Sequence, residues 1–175
     1  MPVLTDVQRY AADILRSLLC MRREQMHWMI GRKYPQVKPE KIMRQLGHIL
    51  RIYDDGIYYR WPGTEQNPER AAAIDVMLMI CKGSLPIIGG AYRSPCSLLF
   101  FVPMPHSGTV LPYRVYIPKD GEETECRVAA EREGNPRGHA AVFVISDKSQ
   151  IPLLRVSHPH IFALGKPDGG YEFLK

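Results

Sequence analysis

The sequence predicts an α+β protein made of two domains, a helical domain of residues 1–63 and an α/β domain of residues 64–175. The first 63 residues contain three segments of helical periodicity and one hairpin, whereas the remainder combines helical segments with short β-favouring runs. Between these two parts, the segment WPGTEQNP (residues 61–68) combines two prolines, a glycine and several polar residues. Such a composition is typical of a break in periodic structure, so we expect the boundary after residue 63.

The first predicted helix lies in TDVQRYAADILRSLLCM, residues 5–21. Its apolar residues recur at intervals of three and four, and either Thr5 or Asp6 is available as the N-cap. A second, shorter helix is predicted in REQMHWMIGRK, which has one apolar side and ends at Gly31 or soon after it.

The third predicted helix begins at Pro39, a residue type that suits the first helical position, and continues to about Leu50. With an advance of about 100° per residue, its apolar and polar residues separate onto two sides. The apolar side carries Ile42, Leu46 and Ile49. The opposite side carries Lys41, Arg44, Gln45 and His48. We therefore expect one buried face and one basic, hydrogen-bonding face.

A β-hairpin is predicted directly after this helix. Asp55 and Gly56 favour a tight turn between two β-favouring runs, residues 51–53 and 57–61. Alternation along the second run places Ile57, Tyr59 and Trp61 on one face, which can close over the helices. The hairpin tip carries two acidic residues, Asp54 and Asp55.

The positive charge of the chain is concentrated in the first domain. Residues 1–63 hold eleven Lys and Arg against six Asp and Glu, whereas the remainder holds twelve of each. The whole net charge of +5 therefore belongs to the first third of the sequence. This asymmetry favours an anionic partner for the first domain, and nucleic acid is the commonest partner of that kind.

Three helices followed by a hairpin resemble the winged helix-turn-helix family over residues 5–62. The resemblance implies that Lys38–Leu50 is a recognition helix for the major groove of double-stranded DNA, and that Tyr53–Tyr58 is the wing. Phosphate repels carboxylates, so the acidic tip favours contact through the helix over contact through the wing. The alternatives are a solvated helix face and a winged helix that serves as a protein-protein interaction adaptor.

The candidate DNA-contacting residues follow from the side-chain chemistry of this region. Arg44 can donate two hydrogen bonds to guanine and Gln45 can bond adenine, whereas lysines neutralise phosphates. Basic residues before the helix add an attraction that weakens with salt. The complete candidate set is Arg32, Lys33, Lys38, Lys41, Arg44, Gln45, His48 and Arg51.

The second domain is predicted to begin with a helix that has Asn67 as N-cap, Pro68 at its first position and Gly83 past its end. A second helix is expected at residues 122–134, although this segment could also form a strand. Strands are expected at residues 97–104, 110–117, 139–146, 151–156, 161–164 and 171–175. This order implies a small α/β sandwich with a mixed sheet.

The order of these elements resembles a degenerate restriction-endonuclease-like core. Combined with the winged helix, it resembles the replication-relaxation family of plasmids and mobile elements, or a related uncharacterised Firmicutes family. The resemblance implies a regulatory or replication accessory factor of a mobile genetic element. A nuclease of this type needs paired acids and an acidic-x-Lys triplet to hold Mg²⁺, and the sequence lacks that triplet. We therefore expect no catalysis and no cofactor, with a divergent metal-dependent nuclease as the alternative.

Several isolated residues are interpreted as structural. The four cysteines are far apart and form neither a zinc motif nor a disulfide framework, and His158 and His160 alone do not make a metal site. Asp75, the only charge within an apolar helix, is expected at the helix edge or against an arginine or a backbone amide.

The sequence also leads to expectations about partners and location. No apolar run is long enough to cross a bilayer, and the first residues lack the features of a signal peptide, so a cytoplasmic protein without membrane contact is expected. The pairing of DNA half-sites with protein dimers favours a homodimer or another protein partner through residues 64–175.

Overall fold

The computed structural model describes residues 3–91, 94–104, 108–134, 140–167 and 169–175. Residues 3–63 contain three helices and three short strands, in the order helix, strand, helix, helix, strand, strand. The helices are α1 (Asp6–Leu18), α2 (Arg23–Lys33) and α3 (Pro39–Leu50). The strands are β1 (Cys20–Arg22), β2 (Tyr53–Asp54) and β3 (Tyr58–Arg60). The three helices and the hairpin that the sequence predicts are therefore present, with hairpin strands shorter than expected.

The helix ends have clear local causes. Thr5 caps α1, because its Oγ1 accepts a hydrogen bond from the backbone N–H of Gln8 at 3.4 Å and its own N–H donates to Gln8 Oε1 at 2.9 Å. Pro39 occupies the first turn of α3, and the helix ends where Arg51 adopts a left-handed conformation with φ 56°. Thr5 is thus the cap among the two predicted candidates.

The three strands form one antiparallel sheet in the order β1-β3-β2. Tyr59 in the central strand lies opposite Met21 on one side and Asp54 on the other. β1 was not predicted, because a three-residue strand between two helices is too short to show alternation. It begins directly after Leu19, whose left-handed φ of 66° ends α1.

The core of this region is built from the apolar stripes of the helices and from the inner face of β3. Its largest fully buried side chains include Leu15, Leu18, Met26, Met29, Ile30, Leu46 and Tyr59.

The buried face of α3 differs in one detail from the expectation. Ile49, predicted on the buried side, is 37% exposed, whereas Met43 is buried. The buried stripe of α3 is therefore formed by Ile42, Met43 and Leu46, because the last turn of the helix extends past the core.

Helix α4 (Pro68–Cys81) begins as predicted, since Asn67 Oδ1 accepts a hydrogen bond from the backbone N–H of Arg70 at 2.8 Å. Asp75 on this helix forms an ion pair with Arg22 and accepts a hydrogen bond from Gln25 Nε2 at 2.7 Å. The expectation that Asp75 meets an arginine is confirmed. The carboxylate of Asp75, although it lies within an apolar helix, is therefore paired.

The remainder of the chain forms a six-stranded mixed sheet in the order β4-β5-β6-β7-β8-β9. Its strands are β4 (Ile87–Ala91), β5 (Cys96–Pro103), β6 (Val110–Tyr116), β7 (Ala140–Ile145), β8 (His160–Gly165) and β9 (Tyr171–Leu174). β7 pairs in parallel with β6 and with β8, and the other neighbours are antiparallel. Helix α5 (Glu123–Glu133) makes the crossover between β6 and β7. The predicted mixed sheet and the helical alternative for residues 122–134 are confirmed.

One face of this sheet packs against α5 through aromatic side chains. The rings of Tyr116 and Phe143 are 5.5 Å apart between centroids, and those of Phe143 and Phe162 are 5.8 Å apart. Cys126, Ala129 and Ala130 of α5 belong to the same buried cluster. Small residues on the helix therefore allow it to lie close to the aromatic layer.

The strand predicted at residues 151–156 is wrong. This segment contains the short helix α6 (Ile151–Leu154), which follows a 3-10 helix at Lys148–Gln150. Asp147 caps the 3-10 helix by accepting from the N–H of Ser149 at 2.7 Å, and Pro152 suits a first helical turn. Leu154 of the apolar run IPLL is buried in the core, and the partly buried Ile151 packs against it.

Two other features of the sheet differ in extent from the expectation. Strand β4 was not predicted, because its two adjacent glycines weaken the strand pattern, and the register shifts between Ile88 and Gly90. The strand predicted at residues 139–146 is observed as Ala140–Ile145, and position 139 lies outside the described residues.

The chain divides into two compact units, Met1–Asp75 and Val76–Lys175. Helix α4 contains the division, whereas the boundary predicted from composition, after residue 63, stays a prediction.

Among the described residues, no helix combines the length and apolar character that crossing a membrane requires.

Candidate nucleic-acid interface

A groove with a volume of about 610 Å³ lies between α3 and the hairpin formed by β2 and β3. The residues that line it are Arg23, Lys38, Glu40, Lys41, Met43, Arg44, Gly47, His48, Ile52, Asp54 and Tyr59. All of them belong to the first unit. We call this surface the α3 groove.

Four of the eight predicted DNA-contacting residues line the α3 groove. They are Lys38, Lys41, Arg44 and His48, and each is exposed. Lys41, Arg44 and His48 follow one another at intervals of three and four along α3, so they form one row on its outer face. The basic face predicted for the third helix is therefore open on the first unit.

Gln45 is placed differently from these four residues. Its Oε1 accepts a hydrogen bond from Gln8 Nε2 at 3.1 Å, which links α3 to α1. The amide is half-buried and does not line the α3 groove. Because its oxygen is engaged within the protein, Gln45 would have to give up this bond to contact an adenine through both amide atoms.

The other predicted residues lie at the ends of helices. Arg51 is exposed just past the end of α3, and Arg32 is exposed in the last turn of α2. Lys33 places its Nζ 4.0 Å from the centroid of the Tyr10 ring and 5.7 Å from that of Tyr34. Lys33 is therefore engaged in a cation-π contact, although its charge still adds to the positive field of this unit.

Two residues of the α3 groove, Arg23 and Glu40, were not among the predicted site residues, and Asp54 was predicted only as part of the acidic hairpin tip. Glu40 Oε1 lies 3.4 Å from His27 Nδ1, and Asp54 Oδ1 lies 3.8 Å from Arg23 Nε. Arg23 also covers the ring of Tyr59 at 5.6 Å. These partners come from α2 and were not detectable by periodicity along α3, because the contacts depend on the packing of two helices and a hairpin.

His27 contacts two residues of this groove, Tyr59 and Glu40, one through each ring nitrogen. Nε2 is 2.9 Å from the hydroxyl of Tyr59, and Nδ1 faces Glu40. Burial is the main cause that lowers the pKa of His27, which favours the neutral ring. A neutral ring satisfies both contacts when Nδ1–H donates to Glu40 and Nε2 accepts from the Tyr59 hydroxyl.

The acidic hairpin tip has a structural role that the sequence did not reveal. Asp54 Oδ1 accepts from the N–H of Gly56 at 3.0 Å. Asp55 Oδ1 accepts from the N–H groups of Ile57 and Tyr58 at 3.0 and 2.7 Å. These hydrogen bonds and the φ of +90° at Gly56 build the turn. The carboxylates are therefore used to form the hairpin.

Asp75 and Asp147, two carboxylates that a metal-dependent nuclease could use, have structural partners. Asp75 is paired with Arg22, and Asp147 caps the 3-10 helix. Within the described part of the chain, no three His, Cys, Asp or Glu side chains are grouped as a metal site would require. His158 is buried, and its Nε2 lies 2.9 Å from the carbonyl oxygen of Ala130.

The sequence was compared with protein families and with curated proteins. No family profile matches the chain, and no curated protein matches it significantly.

Proposed function

We propose that residues 1–63 form a winged helix-turn-helix domain that binds double-stranded DNA through α3. The order α1-β1-α2-α3-β2-β3 supports this proposal. In this arrangement α3 is the recognition helix and the hairpin is the wing. The protein acts without catalysis, as a regulatory or replication and relaxation accessory factor of a mobile genetic element.

The observation that carries the proposal is the row of exposed Lys41, Arg44 and His48 on α3, beside a groove of about 610 Å³. A recognition helix needs an apolar side that fixes it to its domain and a polar side that is free to meet base edges and phosphates. Ile42 and Leu46 are buried on the first side. The net charge of +5 in this part of the sequence supplies the long-range attraction.

The hairpin has a smaller role in this proposal. Asp54 and Asp55 bond to the backbone of the turn and lie near Arg23 and Arg60, so their charges are partly compensated. A carboxylate still provides no donor for phosphate. Contact through α3 is therefore favoured over contact through the hairpin tip.

The proposal is tested by fluorescence anisotropy with the full chain and a labelled DNA duplex of mixed sequence. We expect binding at low salt, with an affinity that falls steeply as salt rises, because each phosphate contact releases counterions. Absence of binding to any duplex at low salt would contradict the proposal.

A protein-protein interaction adaptor is the second candidate, and one observation favours it. Tyr53 is 54% exposed and Ile57 is 62% exposed, so the hairpin presents two large apolar side chains. Apolar residues of this size are typical anchors of protein interfaces. Replacing both residues with serine separates the candidates. An adaptor loses its protein partner, whereas a domain that contacts DNA through α3 keeps its salt-dependent affinity for DNA.

For the second unit we propose homodimerisation or contact with a protein partner. Its sheet ends in two edge strands, β4 and β9, which carry the exposed Ile87 and Phe173. Unpaired edges of a sheet are able to pair with another chain. Sedimentation velocity at micromolar concentrations tests the homodimer, and a monomer at all concentrations contradicts it.

A further inference from the structure

We infer that Glu40 and Arg44 make α3 selective for a cytosine and a guanine on base pairs that are one or two steps apart. The inference rests on the proposed DNA-binding function and goes beyond it by naming the bases and the residues that select them. Both residues line the α3 groove, and both are exposed.

The spacing of the two residues suits this task. Positions 40 and 44 lie on the same side of α3, on successive turns. Their separation along the axis is about 6 Å, since an α-helix rises about 1.5 Å per residue. Base pairs are stacked about 3.4 Å apart, so the two side chains face base pairs that are one or two steps apart.

The chemistry of each side chain limits the base that it accepts. An ionised carboxylate only accepts hydrogen bonds, and the N4 amino group of cytosine offers a donor in the major groove. An arginine only donates, and guanine offers the acceptors O6 and N7 in that groove. The pair Glu40 and Arg44 therefore corresponds to one cytosine and one guanine.

The position of Glu40 is unfavourable for general phosphate binding. It lies in the first turn of α3, where the positive end of the helix dipole would otherwise attract a phosphate. A carboxylate at this end repels phosphates and lowers the affinity for DNA of arbitrary sequence. The charge is compensated only where the carboxylate meets a base-edge donor, so Glu40 increases selectivity at the expense of non-specific affinity.

The structure holds Glu40 without covering it. His27 Nδ1 lies 3.4 Å from Glu40 Oε1, while the Glu40 side chain remains 61% exposed. A glutamine at this position keeps an oxygen acceptor toward His27 Nδ1 and adds an N–H₂ donor. Glutamine pairs with adenine through N6 and N7, so the substitution changes the matching base and leaves the support from His27 intact.

The experiment is selection from a library of duplexes with 20 random base pairs, using the full chain at low salt and sequencing the bound pool. Wild type is expected to enrich cytosine about tenfold over other bases at one position, within two steps of an enriched guanine. E40Q is expected to enrich adenine at the first position, and R44A to lose the guanine. E65Q is the control for the loss of one negative charge, because Glu65 is exposed and lies outside the α3 groove.

The possible outcomes separate this inference from the proposed function. If wild type and E40Q bind DNA and enrich the same bases, or if wild type binds without any base preference, the inference is wrong and the DNA-binding proposal stands. If wild type retains no duplex at low salt, both are wrong. If the enriched base changes from cytosine to adenine in E40Q but not in E65Q, the inference and the DNA-binding proposal are both supported.

Discussion

Asp55 and Arg60 face each other across the β-hairpin, with Arg60 Nε 3.5 Å from Asp55 Oδ2. The other carboxylate oxygen of Asp55 accepts the N–H groups of Ile57 and Tyr58, and Gln66 Nε2 donates to Oδ2 at 2.8 Å. One side chain thus joins the turn, the second hairpin strand and the segment that follows it. The sequence suggests that the acidic tip repels DNA. In the structure, its carboxylates accept the hydrogen bonds that form the hairpin turn.

Loss of the Asp55 side chain is expected to destabilise the protein. D55A leaves two backbone N–H groups of the turn without their acceptor, and we expect the free energy of unfolding to fall by about 1–2 kcal/mol. D55N retains an oxygen that accepts from the turn and should lose less. Urea denaturation of the three proteins measures the difference, and equal effects of D55A and D55N would show that the turn hydrogen bonds contribute nothing.

The stability that Asp55 provides should depend on pH. The backbone N–H of Tyr58 is the main cause that lowers the pKa of Asp55 below its ordinary value of 3.8. Because the folded state has the lower pKa, the contribution is fully present above the unfolded pKa and is lost as the pH falls through the folded pKa. The stability difference between wild type and D55N should therefore shrink below about pH 4. A difference that stays constant from pH 7 to pH 2 would contradict this assignment.

G134A is expected to destabilise the second unit. A Cβ at position 134 would lie 2.1 Å from Cδ2 and Nε2 of the His158 ring, which is buried and bonded to Ala130. The ring must move, and we expect a cost of about 1–3 kcal/mol in urea denaturation. G31A is the matched control, since no atom lies within 4 Å of its added Cβ and its helix gains propensity. Equal free energies of unfolding for G134A and G31A would show that a Cβ at position 134 does not clash with the His158 ring.

The four thiols should react slowly in the folded protein. Cys20, Cys81, Cys96 and Cys126 are free and buried. Burial raises the pKa of Cys81 to about 11 and those of Cys96 and Cys126 to about 12, and it also raises the pKa of Cys20. At pH 8 we expect reaction with an aromatic disulfide reagent to be at least about 100-fold slower than in guanidinium. A thiol that reacts equally fast in both states would contradict its burial.

Much of the first unit was predictable because its signals are local. Thr5, Pro39 and the apolar spacing of three helices specify α1, α2 and α3, and the Asp55-Gly56 turn specifies the hairpin. β1 was not predictable in this way, since its pairing with β3 joins residues about 40 positions apart. In the second unit, the run IPLL is compatible with a strand or a helix, and it forms a helix that directly follows the 3-10 helix capped by Asp147.

The candidate site was predictable only in part for the same reason. The periodicity of α3 identified the exposed Lys41, Arg44 and His48, because one helix is enough to separate two faces. It gave no indication that Gln45 is bonded to Gln8, or that Glu40 is held by His27. Those contacts arise from the packing of α3 against α1 and α2, which no single segment encodes.

The most direct test of DNA recognition by α3 is the salt dependence of duplex binding for wild type and for the double variant K41A/R44A, measured by anisotropy. We expect the double variant to bind more weakly, because the base contact of Arg44 is lost, and the slope of log K against log salt to be smaller in magnitude by about 1, because the phosphate neutralisation by Lys41 is lost. The control R155A/K166A removes two exposed charges of the second unit and should keep the wild-type slope. If K41A/R44A binds DNA with the affinity and the slope of wild type, α3 is not the surface that contacts DNA.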